Sequence, residues 1–257
     1  MAEAEQRPRV GVLATHPVQY YTPWYRALAR DVELEVFFSH QQTASGQASA
    51  GFGVAFDWDI PLLEGYRHAF LRNSARHPDV NTFWGCVTPE ISSLIRECHF
   101  DAFIVHGWST YSYWQAIVAC WRTGTPILVR GDSSLTTPRS WWWRTAKFPI
   151  FSAFISKFDG YLIVGDQARD YLLHYGASAD RCFSAPHSVD NGFFSERAAA
   201  LMPRRGQIRD ECGVHHEAVV FLFAGRFIER KRADLFLRAV QRAASRNRKV
   251  VGLLVGD

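Results

Sequence analysis

The apolar run Phe221-Leu222-Phe223-Ala224 ends in Gly225, Arg226 follows at once, and Lys231 stands five residues beyond it. A glycine lets a ligand come close to the backbone. A helix opening just past Lys231 would add free N–H groups and the positive end of its dipole. An arginine can grip a phosphate through two parallel hydrogen bonds, and a lysine supplies a compact second charge. Gly225, Arg226 and Lys231 therefore suit a seat for a diphosphate. Basic runs are commonly solvated surface, and Arg226, Arg230, Lys231 and Arg232 fit that too. The position between a strand end and a helix favours the site.

Three further groups sit where apolar runs end. His16 follows Val10 to Ala14, and Gln19 opens the next segment. His16 suits either a substrate contact or a helix cap, and an imidazole titrates near neutrality. His106-Gly107-Trp108 ends a second run; His106 reads as a satisfied core residue or a reacting group, and Trp108 and Tyr111 as core packing or as a face for a sugar ring. Arg130-Gly131-Asp132-Ser133 ends a third. A guanidinium closing an apolar strand needs a partner, and Asp132, a substrate phosphate or a substrate carboxylate could each serve. His16, His106, Arg130 and Asp132 are the candidates for chemistry.

The elements that must position these groups alternate in type. Strand-like runs lie at Val10 to Ala14, Leu34 to Phe38, Tyr66 to Leu71, Phe103 to Val105, Ile127 to Val129, Tyr161 to Val164 and around Arg181 to Ala185. Helical spacing covers Pro17 to Arg30, the stretch between Pro89 and Phe100, Tyr111 to Trp121 with Gly124 closing it, and Gln167 to Tyr175. Ser39 to Val54 reads as a loop. Strand and helix in alternation predict an α/β protein with a parallel sheet covered on both faces. Ligands then bind beyond the carboxyl ends of the strands, which is where the candidates stand. The aromatic and basic stretch from Ser140 through Trp141, Trp142, Trp143 and Arg144 to Lys157 reads as a helix with Phe151, Phe154 and Ile155 on one core-facing stripe; the sharper alternative is contact with an anionic membrane surface. Asn191 to His216, polar and basic with Pro203, reads as a linker. A second unit begins with Val219 to Ala224, continues with a helix from Ala233 to Ser245, and ends with Val250 to Val255. Arg238, Arg242 and Arg246 form a solvated face of that helix. A βαβ unit so small cannot bury both faces of its sheet alone, so more chain is expected beyond Asp257.

Composition excludes several classes. Of 257 residues, 47% are apolar and 21% charged, with a net charge of +4, an ordinary globular balance that does not require a nucleic-acid partner. The five cysteines, Cys86, Cys98, Cys120, Cys182 and Cys212, form no Cys-x-x-Cys pair and read as reduced thiols in a cytoplasmic protein. No metal-ligand cluster and no Gly-x-Gly-x-x-Gly after the first strand occur, so neither a metal nor a nicotinamide cofactor is expected. No apolar stretch reaches the roughly 20 residues of a membrane span.

The Gly225-Arg226…Lys231 segment resembles the phosphate-binding start of the second domain in glycosyltransferase family 4, of the GT-B fold. Thr15-His-Pro-Val-Gln-Tyr20, His106-Gly-Trp108, Arg130-Gly-Asp-Ser133 and Pro186-His-Ser-Val-Asp190 are similar, in order and spacing, to its strand-end loops and hinge. The resemblance implies two Rossmann-like domains, the second incomplete here: residues 1–190 on the acceptor side, a linker over 191–216, and 217–257 as the start of the nucleotide-sugar side. It implies retaining transfer from a nucleotide-diphosphate sugar to a glycan, lipid-linked or small-molecule acceptor, without a cofactor. Arg226 and Lys231 would hold the diphosphate, and Gln19 and Trp108 would face the acceptor. Polysaccharide biosynthesis, with peripheral contact at the inner membrane face, is the setting implied. A sugar-nucleotide epimerase of the same fold and a non-catalytic, sugar-nucleotide-binding fragment are the alternatives. Two features depart from the family: its paired acidic motif would lie beyond Asp257, and Arg130-Gly131-Asp132 stands where many members have a histidine.

Overall fold

The computed structural model describes residues 7–42, 60–136 and 141–256, the stretch 141–147 as backbone only. The loop expected over Ser39 to Val54 thus lies outside the described residues from position 43 onward, as do the side chains of Trp141, Trp142 and Trp143. The described chain divides into two compact units, residues 7–42 with 60–189 and residues 190–256.

In the first unit seven parallel strands lie in the order β3-β2-β1-β4-β5-β6-β7. They are β1 (Arg9–Ala14), β2 (Glu33–Phe38), β3 (Arg67–Phe70), β4 (Ala102–Val105), β5 (Ile127–Gly131), β6 (Gly160–Ile163) and β7 (Cys182–Ser184). The connecting helices are α1 (Thr22–Asp31), α2 (Ile91–Cys98), α3 (Tyr111–Thr123), α4 (Trp141–Ile155) and α5 (Asp166–His174). The strands read as unbroken apolar runs because both faces are covered. Side chains alternate between faces. Leu13, Phe37, Phe103, Val105, Ile127 and Val129 enter one core, and Val12, Val36, Phe38 and Ile104 enter the other, where Tyr25 of α1 packs.

Parity also explains Gly11. It pairs with Phe103 across the β1–β4 ladder, and a Cβ there would stand 2.4 Å from two carbons of the Phe103 ring. The chain order reverses between β1 and β4. That reversal opens a crevice at the carboxyl edge, beside the segments that follow β1 and β4.

Helix α1 starts at Thr22, later than Pro17 as expected. Val18 carbonyl accepts the N–H groups of Tyr21 (2.9 Å) and Thr22 (3.2 Å) in a turn, and Pro23 suits the first helical turn. Helix α3 ends on Gly124 at φ 74, a left-handed cap that glycine adopts without strain. On α4, Phe154 and Ile155 are buried and Phe151 packs beside them, which is the stripe expected.

The second unit departs from expectation at its start. Residues 191–211 carry two helices, α6 (Asn191–Leu201) and α7 (Arg205–Glu211), where a linker was read. Asp190 caps α6 by accepting the Phe193 N–H at 3.0 Å, and Ala198, Ala199 and Ala200 favour the helix. Pro203 falls between the two helices, in a 3-10 turn, so it breaks neither. Strand β8 (Val219–Ala224) pairs in parallel with β9 (Val250–Val255). Helix α8 (Ala233–Arg246) brings Phe236 against Phe223 at 5.6 Å. Arg238, Arg242 and Arg246 are exposed on it.

Candidate functional site

His106 leaves the end of β4 on the crevice side of the sheet. Its Nε2 lies 2.7 Å from the Tyr25 hydroxyl, and the Tyr21 ring stacks on it at 4.2 Å and 13°. Tyr21 and Tyr25 are one helical turn apart, so both rings reach the same neighbour. Nδ1 is buried and has no hydrogen-bond partner. If Tyr25 donates to Nε2, its hydroxyl proton is satisfied and Nδ1 carries the ring's single proton; the opposite arrangement, with Nε2–H donating to the Tyr25 oxygen, would orphan both the hydroxyl proton and the Nδ1 lone pair. The first tautomer therefore costs less. Burial, reinforced by Arg130 and His187, holds this imidazole well below its ordinary pKa, so it is neutral. Burial likewise holds the Tyr25 phenol well above its own.

Arg130 belongs to the same cluster. Strand parity turns it to the α1 face of the sheet, where it is 1% exposed. Its hydrogen-bond partners within the protein are backbone carbonyls rather than Asp132. Nε donates to the Ala185 carbonyl (3.2 Å) and Nη2 to the Pro186 carbonyl (3.1 Å), with His187 Nδ1 at 3.5 Å. The guanidinium also lies 4.9 Å from the Tyr21 ring centre and 5.3 Å from that of Trp24. Asp132 is exposed and acts on Arg130 through space, without a hydrogen bond to it. Arg130 is therefore a clamp on the segment leaving β7. Ser188 ties that segment down again, its Oγ donating to the Tyr20 carbonyl at 3.1 Å.

The other candidates of the first unit separate. His16 is half-buried beside Thr15, with 3.0 Å between its Nδ1 and the Thr15 Oγ1. Burial, and secondarily His40, lowers its pKa to about 4. Gln19 lies in the turn ahead of α1. Trp108 packs edge-on against Phe151 and Phe154, both at 5.6 Å, and lines a small recess with Val129, Gly131 and Tyr171. It is held from behind by the core.

In the second unit β8 ends at Ala224, and Gly225 takes φ 151, a backbone conformation that a side chain would strain. Gly256, which follows β9, takes φ 155, and a Cβ there would stand 1.9 Å from the Gly225 carbonyl oxygen. Arg226 comes next and is half-buried; Lys231 is exposed, in the 3-10 turn Glu229–Lys231 just ahead of α8. Arg232, at φ 55, makes the left-handed step into the helix and holds Asp234 with two hydrogen bonds of 3.0 Å. Arg232 is thus committed to its own helix start.

Sequence reading missed Tyr21, Tyr25, His40 and His187 as site neighbours. The four-residue spacing of Tyr21 and Tyr25 ahead of a strand-end histidine was the available signal. Among the described residues no group of His, Cys, Asp and Glu is arranged to hold a metal, and no helix is long and apolar enough to cross a membrane. All five cysteines are free thiols.

No protein-family description matches the chain, and no curated protein matches it in sequence. Solved structures match it in fold. Anabaena HepE in complex with UDP and glucose aligns at TM-score 0.57 and 10% identity, over 96% of this chain and 60% of that one. A UDP-N-acetylglucosamine 2-epimerase from Rickettsia bellii aligns at 0.50 and 14%, over 97% and 62%. A further UDP-N-acetylglucosamine 2-epimerase aligns at 0.51 and 12%, over 96% and 61%. This chain thus spans 60–62% of the length of those proteins. At such identities the likeness is one of architecture: the chain has an α/β fold of the GT-B type, built from Rossmann-like units.

Proposed function

We propose that this chain belongs to a glycosyltransferase that takes its glycosyl group from a nucleotide-diphosphate sugar. The observation that carries the reading is the Gly225-Arg226…Lys231 turn, set between a parallel strand and a helix start in a chain that shares its fold with a protein solved with UDP and glucose. In the reaction the anomeric carbon leaves the diphosphate oxygen and bonds the acceptor hydroxyl oxygen, releasing a nucleoside diphosphate and a proton. Arg226 and Lys231 take up the charge that develops on the diphosphate, the kind of preorganised electrostatics that lowers many barriers. With those two cations doing that work, the reaction requires no metal. Retention at the anomeric carbon, a glycan, lipid-linked or small-molecule acceptor on the first unit, and a cytoplasmic site of action touching the inner membrane face complete the reading.

The fold match to two UDP-N-acetylglucosamine 2-epimerases favours a second reading, epimerisation of a sugar nucleotide. A sugar nucleotide with one inverted carbon, formed without acceptor, would select it over transfer. The phosphate seat itself is tested by titrating UDP calorimetrically into the chain and into Arg226→Ala. Losing a charge-assisted pair of hydrogen bonds should weaken binding by roughly ten- to a hundredfold. Unchanged affinity in the variant would remove Arg226 from the seat.

A further inference from the structure

The carboxyl edge of the first unit carries an exposed aromatic pair that none of the chemistry above uses. Phe83 and Trp84 sit in a 3-10 turn on the connection from β3 to α2, 41% and 65% exposed. Trp84 packs on Tyr111, the first residue of α3, at 4.8 Å. Large exposed aromatics held rigidly mark recognition surfaces, and this pair is held rigidly. The Gly85 carbonyl accepts from the Asn73 amide (2.8 Å) and the Asp79 N–H (3.0 Å), and the Cys86 carbonyl accepts the Ser112 N–H (3.0 Å). No side chain fits at Gly85, where a Cβ would stand 2.0 Å from the Asp79 carbonyl oxygen.

Polar groups converge on the same edge. Asp79 Oδ1 accepts both the N–H and the amide of Asn81, at 3.0 and 3.2 Å. The second carboxylate oxygen, Oδ2, has no hydrogen bond among the described residues. Asp79 acts electrostatically on His40, which follows β2, and His40 acts on His16, which follows β1. The His40 N–H donates to the Thr15 carbonyl at 2.8 Å, which joins those two strand ends. Burial keeps both imidazoles below their ordinary pKa. The edge thus combines an aromatic platform with one carboxylate and two neutral imidazoles.

We propose that this edge is a carbohydrate subsite, in which one sugar ring lies on Trp84 and Tyr111 and its hydroxyls bond Asp79, His40 and His16. The C–H face of a pyranose matches an indole ring, and a carboxylate with neutral imidazoles matches vicinal hydroxyls. The Asp79 charge selects a neutral sugar and disfavours an anionic lipid surface. Naming that sugar an acceptor rests on the transferase reading; the subsite itself does not.

The test is saturation-transfer NMR on the full chain with maltotetraose, cellotetraose and chitotetraose, in parallel with calorimetric titration of UDP. Transfer to at least one sugar is expected, weakened about tenfold in affinity by Trp84→Ala and by Asp79→Asn, with circular dichroism and UDP affinity unchanged. No transfer to any of the three would overturn the subsite. So would transfer that Trp84→Ala leaves intact, or sedimentation with phosphatidylcholine–phosphatidylglycerol vesicles that depends on Trp84. Sugar binding without UDP binding would keep the subsite and defeat the nucleotide reading. UDP binding without sugar binding would do the reverse.

Discussion

Replacing Arg130 by methionine asks whether a strand-end arginine in this fold is a clamp or a ligand hand. The side chain is 1% exposed and gives two hydrogen bonds to carbonyls, those of Ala185 and Pro186. Each bond from a charged donor contributes about 1.5–3 kcal/mol, and the faces of Tyr21 and Trp24 add about 0.5–2 kcal/mol. Against this stands the cost of holding a guanidinium out of water, several kcal/mol per ion after relaxation. Methionine fills much of the same path and removes that cost. It leaves the carbonyl of Ala185, a buried residue, without its donor, a loss of about 1–3 kcal/mol. The terms largely cancel, and Arg130→Met should destabilise the chain by about 1–3 kcal/mol. With a urea slope of about 1–3 kcal/mol per molar, the midpoint of a near-UV circular dichroism transition should fall by about 1 M. UDP affinity should stay within twofold, because the proposed seat uses other residues. An unchanged or raised midpoint would refute the clamp, and a tenfold loss of UDP affinity would return Arg130 to the binding machinery.

Two further outcomes follow from the first unit. His16 has a folded pKa of about 4 against an ordinary 6.5, so the unfolded chain binds the extra proton between those values and stability falls as pH drops from 6.5 towards 4. That displacement sets a ceiling of about 3.4 kcal/mol; solvent screening of a half-buried ring reduces it to about 1–2 kcal/mol. Chemical denaturation at pH 7 and pH 4.5 should show a smaller difference in His16→Gln than in the parent, and equal differences would deny His16 that role. Gly11→Ala forces a methyl onto the Phe103 ring, 2.4 Å away, and should cost about 1–3 kcal/mol of overpacking. A thermal melt should show the loss, and Phe103→Leu in the same chain should recover part of it; an unshifted melt would mean that the ring moves freely.

How much of this was legible beforehand varies with the physics of each feature. Most strands of the first sheet lie within a residue or two of those read from sequence, because burial on both faces leaves unbroken apolar runs; β8 and β9 also fall on the residues read, from their apolar sequence alone, since none of their residues is buried. The start of α1 was not, because Pro17 and Val18 carry the right side chains for a helix but form a turn fixed by hydrogen bonds to the Val18 carbonyl. The helices over 191–211 were hidden for a related reason. Their exposure leaves no apolar stripe, and only the Asp190 cap and the alanines mark α6. Trp108 was read as core packing or as a face for a sugar ring from its place after a strand, and its ring packs edge-on against Phe151 and Phe154. Tyr25 was overlooked because a tyrosine at helical spacing is ordinary core, and only the structure brings its hydroxyl to His106.

Arg130 and Arg226 show most clearly what separates the two kinds of strand-end cation. Both close an apolar parallel strand beside a glycine. Arg130 precedes its glycine and stays in the ladder, paired with Leu162, so its side chain obeys strand parity and goes under α1. Backbone carbonyls from the end of β7 then reach it first. Arg226 follows its glycine, and Gly225 at φ 151 has already taken the backbone out of the strand. Its side chain is released from parity and emerges half-buried, ahead of Lys231 and the helix start. The order of the two residues, Arg-Gly against Gly-Arg, therefore decides whether the side chain is bound by strand parity or freed from it, and the proposed phosphate seat depends on the second case. Inverting it at the second site, with Gly225→Arg and Arg226→Gly together, keeps composition and charge but puts the guanidinium back under strand parity, so UDP binding should be lost while Arg226→Lys retains part of it. Binding that survives the inversion would show that the charge near the turn matters and its direction does not.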